Sequence, residues 1–288
     1  MLKMRAATAL GTRARAAIRR SAGDYSAVAG DLAVPEGLRP TADEAAQGRV
    51  TLASGDALDL SAAPPGVRSG VWGVVVAAAM RMDPQRSDKA RRPKKSSLHW
   101  VLQHAASGGE VEAAAALTRE WRARMQPITH ATTQLWAAAC VRAGRPDVFV
   151  RLLMDRWAFR QLPVAHGMAR VMRALGASGQ LDDAFRLFAL HPYYGLAQDA
   201  TAYGALVEAC CLDTSDADAA WRRALVVAEE ALARDPPLIT VAALRALEAK
   251  ADDAEMARRY GALADQMAEK DGGPQAAEKD TKKPGWFF

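Results

Sequence analysis

Apolar side chains between residues 95 and 270 recur every three or four positions, the spacing that lays one stripe along a helix. In "GQLDDAFRLFAL" (residues 179–190), Leu181, Ala184, Phe185 and Phe188 mark one face, and Asp182 and Asp183 stand where the helix dipole favours negative charge. "TQLWAAACVR" (133–142) predicts another helix, running into a glycine that can take the left-handed conformation ending it, after which a Pro or Asp opens the next.

A longer period overlies the short one. Gly109, Gly144 and Gly179 fall 35 residues apart, and so do Leu117, Leu152 and Leu187. Two further columns keep the same interval: Ala105, Cys140, Leu175 and Cys210, all small or apolar, and Val101, Trp136, Val171 and Leu206, all apolar. Several columns in one register point to a repeat, each unit an antiparallel helix pair. One pair cannot bury its own apolar faces, so neighbours must stack into an all-α solenoid. Units are assigned at 95–129, 130–164 and 165–199, with a fourth from Ala200 that carries an insertion around "CLDTSDAD" and a degenerate fifth from about Leu238 to Lys270.

Composition agrees with the helical reading, since half of the 288 residues are hydrophobic and few are aromatic. The alanine-rich, β-branch-poor stock loses little side-chain entropy in a helix. The formal charge is +5, but residues 1–23 hold six cations and no acid, so the body of the chain is close to neutral. That opening, "MLKMRAATALGTRARAAIRR", has the arginine-rich, acid-free character of a mitochondrial presequence; a basic tail on a cytosolic protein is the alternative. Residues 24–94 read as a linker with short helices and a basic stretch, and 271–288 as a disordered tail ending in Trp286, Phe287 and Phe288. "GVWGVVVAAAM" (70–80) is too short to span a membrane and predicts a buried helix.

The search for chemistry returns little. No phosphate-binding glycine loop, dinucleotide turn, zinc-protease motif or nucleophile elbow is present, and the five histidines are scattered. Cys140, Cys210 and Cys211 lack metal or redox spacing and fall at apolar helical positions, as small core residues do. The sequence therefore predicts neither catalysis nor a cofactor, a metal site or a small-molecule substrate. One charge cluster stands out: Lys89, Arg91, Arg92, Lys94 and Lys95, just before the first unit. Such a cluster attracts phosphate by releasing counterions; a solvated linker and a nuclear-import signal are the other readings.

The run "ALGASGQLDDAFRLFALHPYYGLAQDATAYGALVEA" resembles the pentatricopeptide-repeat pattern of a helix, a glycine turn, an "LDDAFRLF"-like second helix, a "GLxxD" loop and a "TxYxxL"-like helix. The likeness is strong over 165–207, fair over 130–164 and weak over 95–129, and covers about half the chain. It implies a right-handed superhelix whose first helices line a groove, with one RNA base chosen per repeat by the fifth and last residues of a unit. Those positions hold His99 with Thr129, Gln134 with Val164, Ala169 with Asp199, and Gly204 in the fourth unit. Val164, Ala169 and Gly204 offer no side-chain donor or acceptor, so base-specific reading is not expected. The next groove position along holds Gln103, Ala138, Arg173 and Glu208, a nearly neutral wall.

The array is similar in layout to the pentatricopeptide-type constituents of the mitochondrial small ribosomal subunit. The resemblance thus implies a matrix scaffold contacting mitochondrial ribosomal proteins and, without base specificity, RNA. Its expected RNA-facing residues are Lys89, Arg91, Arg92, Lys94, Lys95, His99, Gln134, Arg142 and Arg173. A transient RNA-processing or translation-activating factor, and a protein-only assembly adaptor, are the alternatives.

Overall fold

The computed structural model describes residues 49–51, 57–59, 70–82 and 95–271. The presequence, the tail from residue 272, and Lys89, Arg91, Arg92 and Lys94 lie outside the described residues. Apart from a short antiparallel hairpin pairing β1 (Arg49–Thr51) with β2 (Ala57–Asp59), every element among the described residues is helical. The chain divides into two compact units, Met1–Ala143 with Asp155–Arg160, and Gly144–Met154 with Gln161–Phe288.

The first unit contains α1 (Gly70–Met82), α2 (Lys95–His104), α3 (Gly108–Ala123), α4 (His130–Arg142) and the single turn α6 (Arg156–Phe159). Helix α1 packs on α2 and α3, burying Val71, Trp72, Val74, Val75 and Val76. The folded part of this unit thus reaches back into the stretch read as linker, and the hairpin there is an element the sequence reading did not anticipate. Helix α4 packs beside α2, and α6 packs against α3.

The second unit contains α5 (Pro146–Met154), α7 (Ala165–Ala177), α8 (Leu181–Ala189), α9 (Ala200–Leu212), α10 (Ala217–Leu232), α11 (Val241–Lys250) and α12 (Ala254–Asp271). Three of them form a row: α9 packs against α7 on one side and α11 on the other. Each row member also packs on the helix that follows it, α8, α10 or α12, and α5 packs on α7 and α8.

Helices begin at Lys95, His130, Ala165 and Ala200, so the 35-residue interval is carried by the backbone itself. Three of the four recurring columns are buried throughout: Val101, Trp136, Val171 and Leu206; Ala105, Cys140, Leu175 and Cys210; Leu117, Leu152 and Leu187. Each fully buried Leu or Phe contributes about 1.5–3 kcal/mol of transfer free energy, enough to fix the register. The glycine column is only partly what its spacing predicts. Gly144 and Gly179 take left-handed φ values of 65° and 73°, but Gly109 lies in the first turn of α3. There Ser107 accepts from the Glu110 backbone while the Glu110 carboxylate accepts from the Ser107 N–H, and this capping box opens α3 without a left-handed residue.

Candidate nucleic-acid interface

Of the residues expected to face RNA, Lys95, His99, Gln134 and Arg142 lie on α2 and α4 in the first unit, and Arg173 lies on α7 in the second. Lys95 opens α2 and is exposed, and Gln134 is exposed on the second turn of α4. The other three are engaged inside their own units.

His99 Nε2 lies 2.9 Å from Thr132 Oγ1, joining α2 to α4. Burial, and next the Lys95 charge, hold the imidazole below its ordinary pKa of 6.5, which favours a neutral ring and weakens it as a phosphate partner. Arg142, at the end of α4, donates from Nε to the Ala105 carbonyl at 2.9 Å and from Nη2 to the Leu102 carbonyl at 2.7 Å. A helix leaves its last carbonyls without intrahelical partners, and α2 has no glycine after its end to close them. The guanidinium of the neighbouring helix does so instead.

Arg173 on α7 makes a two-pronged pair with Glu208 on α9, at 2.6 Å through Nε and 3.1 Å through Nη2. These residues are 35 apart and occupy the same register position of successive units, so the plus and minus of the predicted groove wall neutralise each other across adjacent helices. Beside this pair an open concavity of about 300 Å³ is lined by Glu208, Cys211, Leu212, Ala242, Ala246, Ala249 and Lys250. It is shallow and mostly aliphatic, and burial pushes the Cys211 thiol up to about 11, leaving it protonated and unreactive near neutrality.

The other reader position has a structural occupation as well. Thr129 accepts from the Thr132 backbone as the N-cap of α4, and Asp199 accepts from the Ala202 N–H at 3.0 Å as the N-cap of α9. Val164 precedes α7 without a side-chain cap bond. Gly204 has no side chain because the Thr240 side chain fills its place, within 2.4 Å of where a Cβ would stand. Thr129 and Asp199 thus serve as caps and Gly204 as a packing site, while Val164 has no side-chain donor or acceptor.

Among the described residues no group of three His, Cys, Asp or Glu side chains is placed to hold a metal ion, and no helix is long and apolar enough to cross a membrane. Sequence spacing passed over the single turn α6, which leaves Trp157 87% exposed and buries Phe159. "RWAFR" was its only signal, too short to show a period. No family model and no curated protein matches this chain.

Proposed function

We propose that this chain is a mitochondrial scaffold of the pentatricopeptide type: a right-handed solenoid of helix pairs seated in the small subunit of the mitochondrial ribosome. In this reading it holds protein neighbours and touches rRNA without selecting bases. The observation that carries it is the engagement of the groove-side polar groups: Arg173 with Glu208, His99 with Thr132, and Arg142 with the α2 carbonyls. A groove whose donors already have internal partners presents shape and apolar edges, which suits lasting protein contacts better than readout of a strand. The arginine-rich opening supports import into the matrix, and the basic stretch 89–95 supplies phosphate affinity next to the first repeat.

The test is sedimentation of the tagged protein from lysed organelles, with and without ribonuclease. A scaffold of this kind travels with the small subunit and is released when ribonuclease takes the particle apart. A light, free position in the gradient refutes the reading. Recovery on a messenger after ribosomes are dissociated favours the transient factor, and associations indifferent to ribonuclease favour the protein-only adaptor.

A further inference from the structure

The concavity between α9 and α11 is an aliphatic trough. Leu212, 47% exposed, and the half-buried Cys211 form its α9 side, and Ala242, Ala246 and Ala249 form its α11 side. The three alanines follow at intervals of four and three, so they share one face of α11, and their short side chains leave about 300 Å³ of open space. Two charges border it. Glu208 is already held by Arg173. The Lys250 charge acts on the Cys211 thiol, and among the described residues no carboxylate pairs with it. Aliphatic walls with an unpaired ammonium at one end suit aromatic rings, which bury apolar area against the walls and offer the cation a negative face.

The chain itself carries such rings. Trp286, Phe287 and Phe288 are the only run of three aromatics in the sequence, and they follow α12. The direction of α12 brings them to the trough. Arg245 on α11 pairs with Asp265 on α12, and Gly261 faces Glu248 so closely that a Cβ would stand 2.6 Å from the Glu248 Oε1. Numbers rising along α12 therefore meet numbers falling along α11, and the last residue of α12, Asp271, lies level with the start of α11, the end marked by Ala242. The chain from position 271 to 286 spans up to about 50 Å when extended, against about 15 Å for the whole length of α11.

We propose that the segment 272–288 folds back onto this trough, with Trp286, Phe287 and Phe288 covering Cys211, Leu212 and the alanine face of α11 and one ring against the Lys250 ammonium. The tether favours this occupant over a separate protein, because a linker of this length holds the rings near the trough at millimolar local concentration. The chain thereby closes the groove wall between α9 and α11, and any partner addressing that wall has to displace the three aromatics. The inference does not depend on the ribosomal reading, since both sides of the contact belong to this chain.

The experiment uses the full chain and reads the rate at which a maleimide labels Cys211 at mildly alkaline pH, resolved by site with mass spectrometry. Cys211 lines the trough, while Cys140 and Cys210 are buried and report opening of the fold. Replacing Trp286, Phe287 and Phe288 together by alanine is expected to speed labelling of Cys211 at least about fivefold, the protection of a site covered about four-fifths of the time. A synthetic peptide of residues 274–288 added in excess to that variant is expected to slow the labelling again, and Trp286→Phe, which keeps a ring, to retain most of the protection. An unchanged rate in the triple variant overturns the proposal. Equal acceleration at Cys140 and Cys210 overturns it too, because the substitutions have then loosened the fold. A parent rate that rises on dilution of the protein overturns it in favour of aromatics supplied by a second copy of the chain. None of these outcomes bears on sedimentation with the ribosome, so the scaffold reading and this contact can fail separately.

Discussion

Replacing Gly176 with alanine measures how closely the row of helices in the second unit is packed. Gly176 is buried in the last turn of α7, and an added Cβ would stand 2.2 Å from the Ala209 carbonyl oxygen and 2.6 Å from its carbon. Ordinary carbon contacts need about 3.5 Å, so α9 would have to retreat by roughly 1 Å. The obstacle is backbone and cannot rotate away. The same carbonyl accepts from the Asp213 N–H at 3.1 Å, closing the end of α9, and a shift strains that bond too. Overpacking typically costs about 1–3 kcal/mol, and a fixed obstacle puts this site at the upper end. Alanine's better helix propensity returns about 1 kcal/mol, leaving a net loss of about 2 kcal/mol. For a unit of this size that lowers the melting temperature by about 4–8 °C, followed by far-ultraviolet circular dichroism. Gly195→Asn is the companion: nothing lies within 4 Å of its Cβ position and its φ is 68°, a conformation asparagine tolerates. It should melt within a few degrees of the parent. A Gly176→Ala protein as stable as the parent refutes the close approach of α7 and α9.

Arg142→Ala is expected to cost about 1–3 kcal/mol, because two carbonyls lose charged donors, while leaving oligouridine affinity unchanged; a weaker affinity at equal stability would return Arg142 to the RNA face. Stability should also fall on acidification. Burial is the leading cause that holds His191 below its ordinary 6.5, the Leu187 and Phe188 carbonyls and Asp199 opposing it. The unfolded chain therefore takes up the proton first. Its contribution is complete above about pH 6.5 and is lost as pH falls through the lower folded value, so the melting temperature should drop between about pH 7 and pH 5. His191→Gln should flatten part of that slope, and an unchanged slope would place the titration elsewhere.

The sequence made the helices and their register readable because two periods, 3.6 and 35, act on the same buried columns. Val101, Trp136, Val171 and Leu206 must all point inward for either period to hold. Spacing alone does not separate Gly109 from Gly144 and Gly179; "SGGE", the capping box that starts α3 at that point, does. The hairpin has strands of three residues, too few to display alternation, and α6 is a single turn. The opposite charges of Arg173 and Glu208 were visible in one column, but their pairing depends on adjacent helices bringing residue i beside i+35. Arg142 carries no sequence mark of its role, because its acceptors are backbone carbonyls 37 and 40 residues earlier.

That last contact bears on how the protein is made. Helix α2 reaches its full set of bonds only with a side chain that is synthesised after another forty residues have been added. A nascent chain halted before Arg142 would carry an α2 whose final turn frays, and a fragment cut at the apparent repeat boundary after Thr129 would inherit the same loose end. The repeat read from sequence and the smallest piece that can stand alone are thus different lengths, and a truncation designed on the first will miss the second.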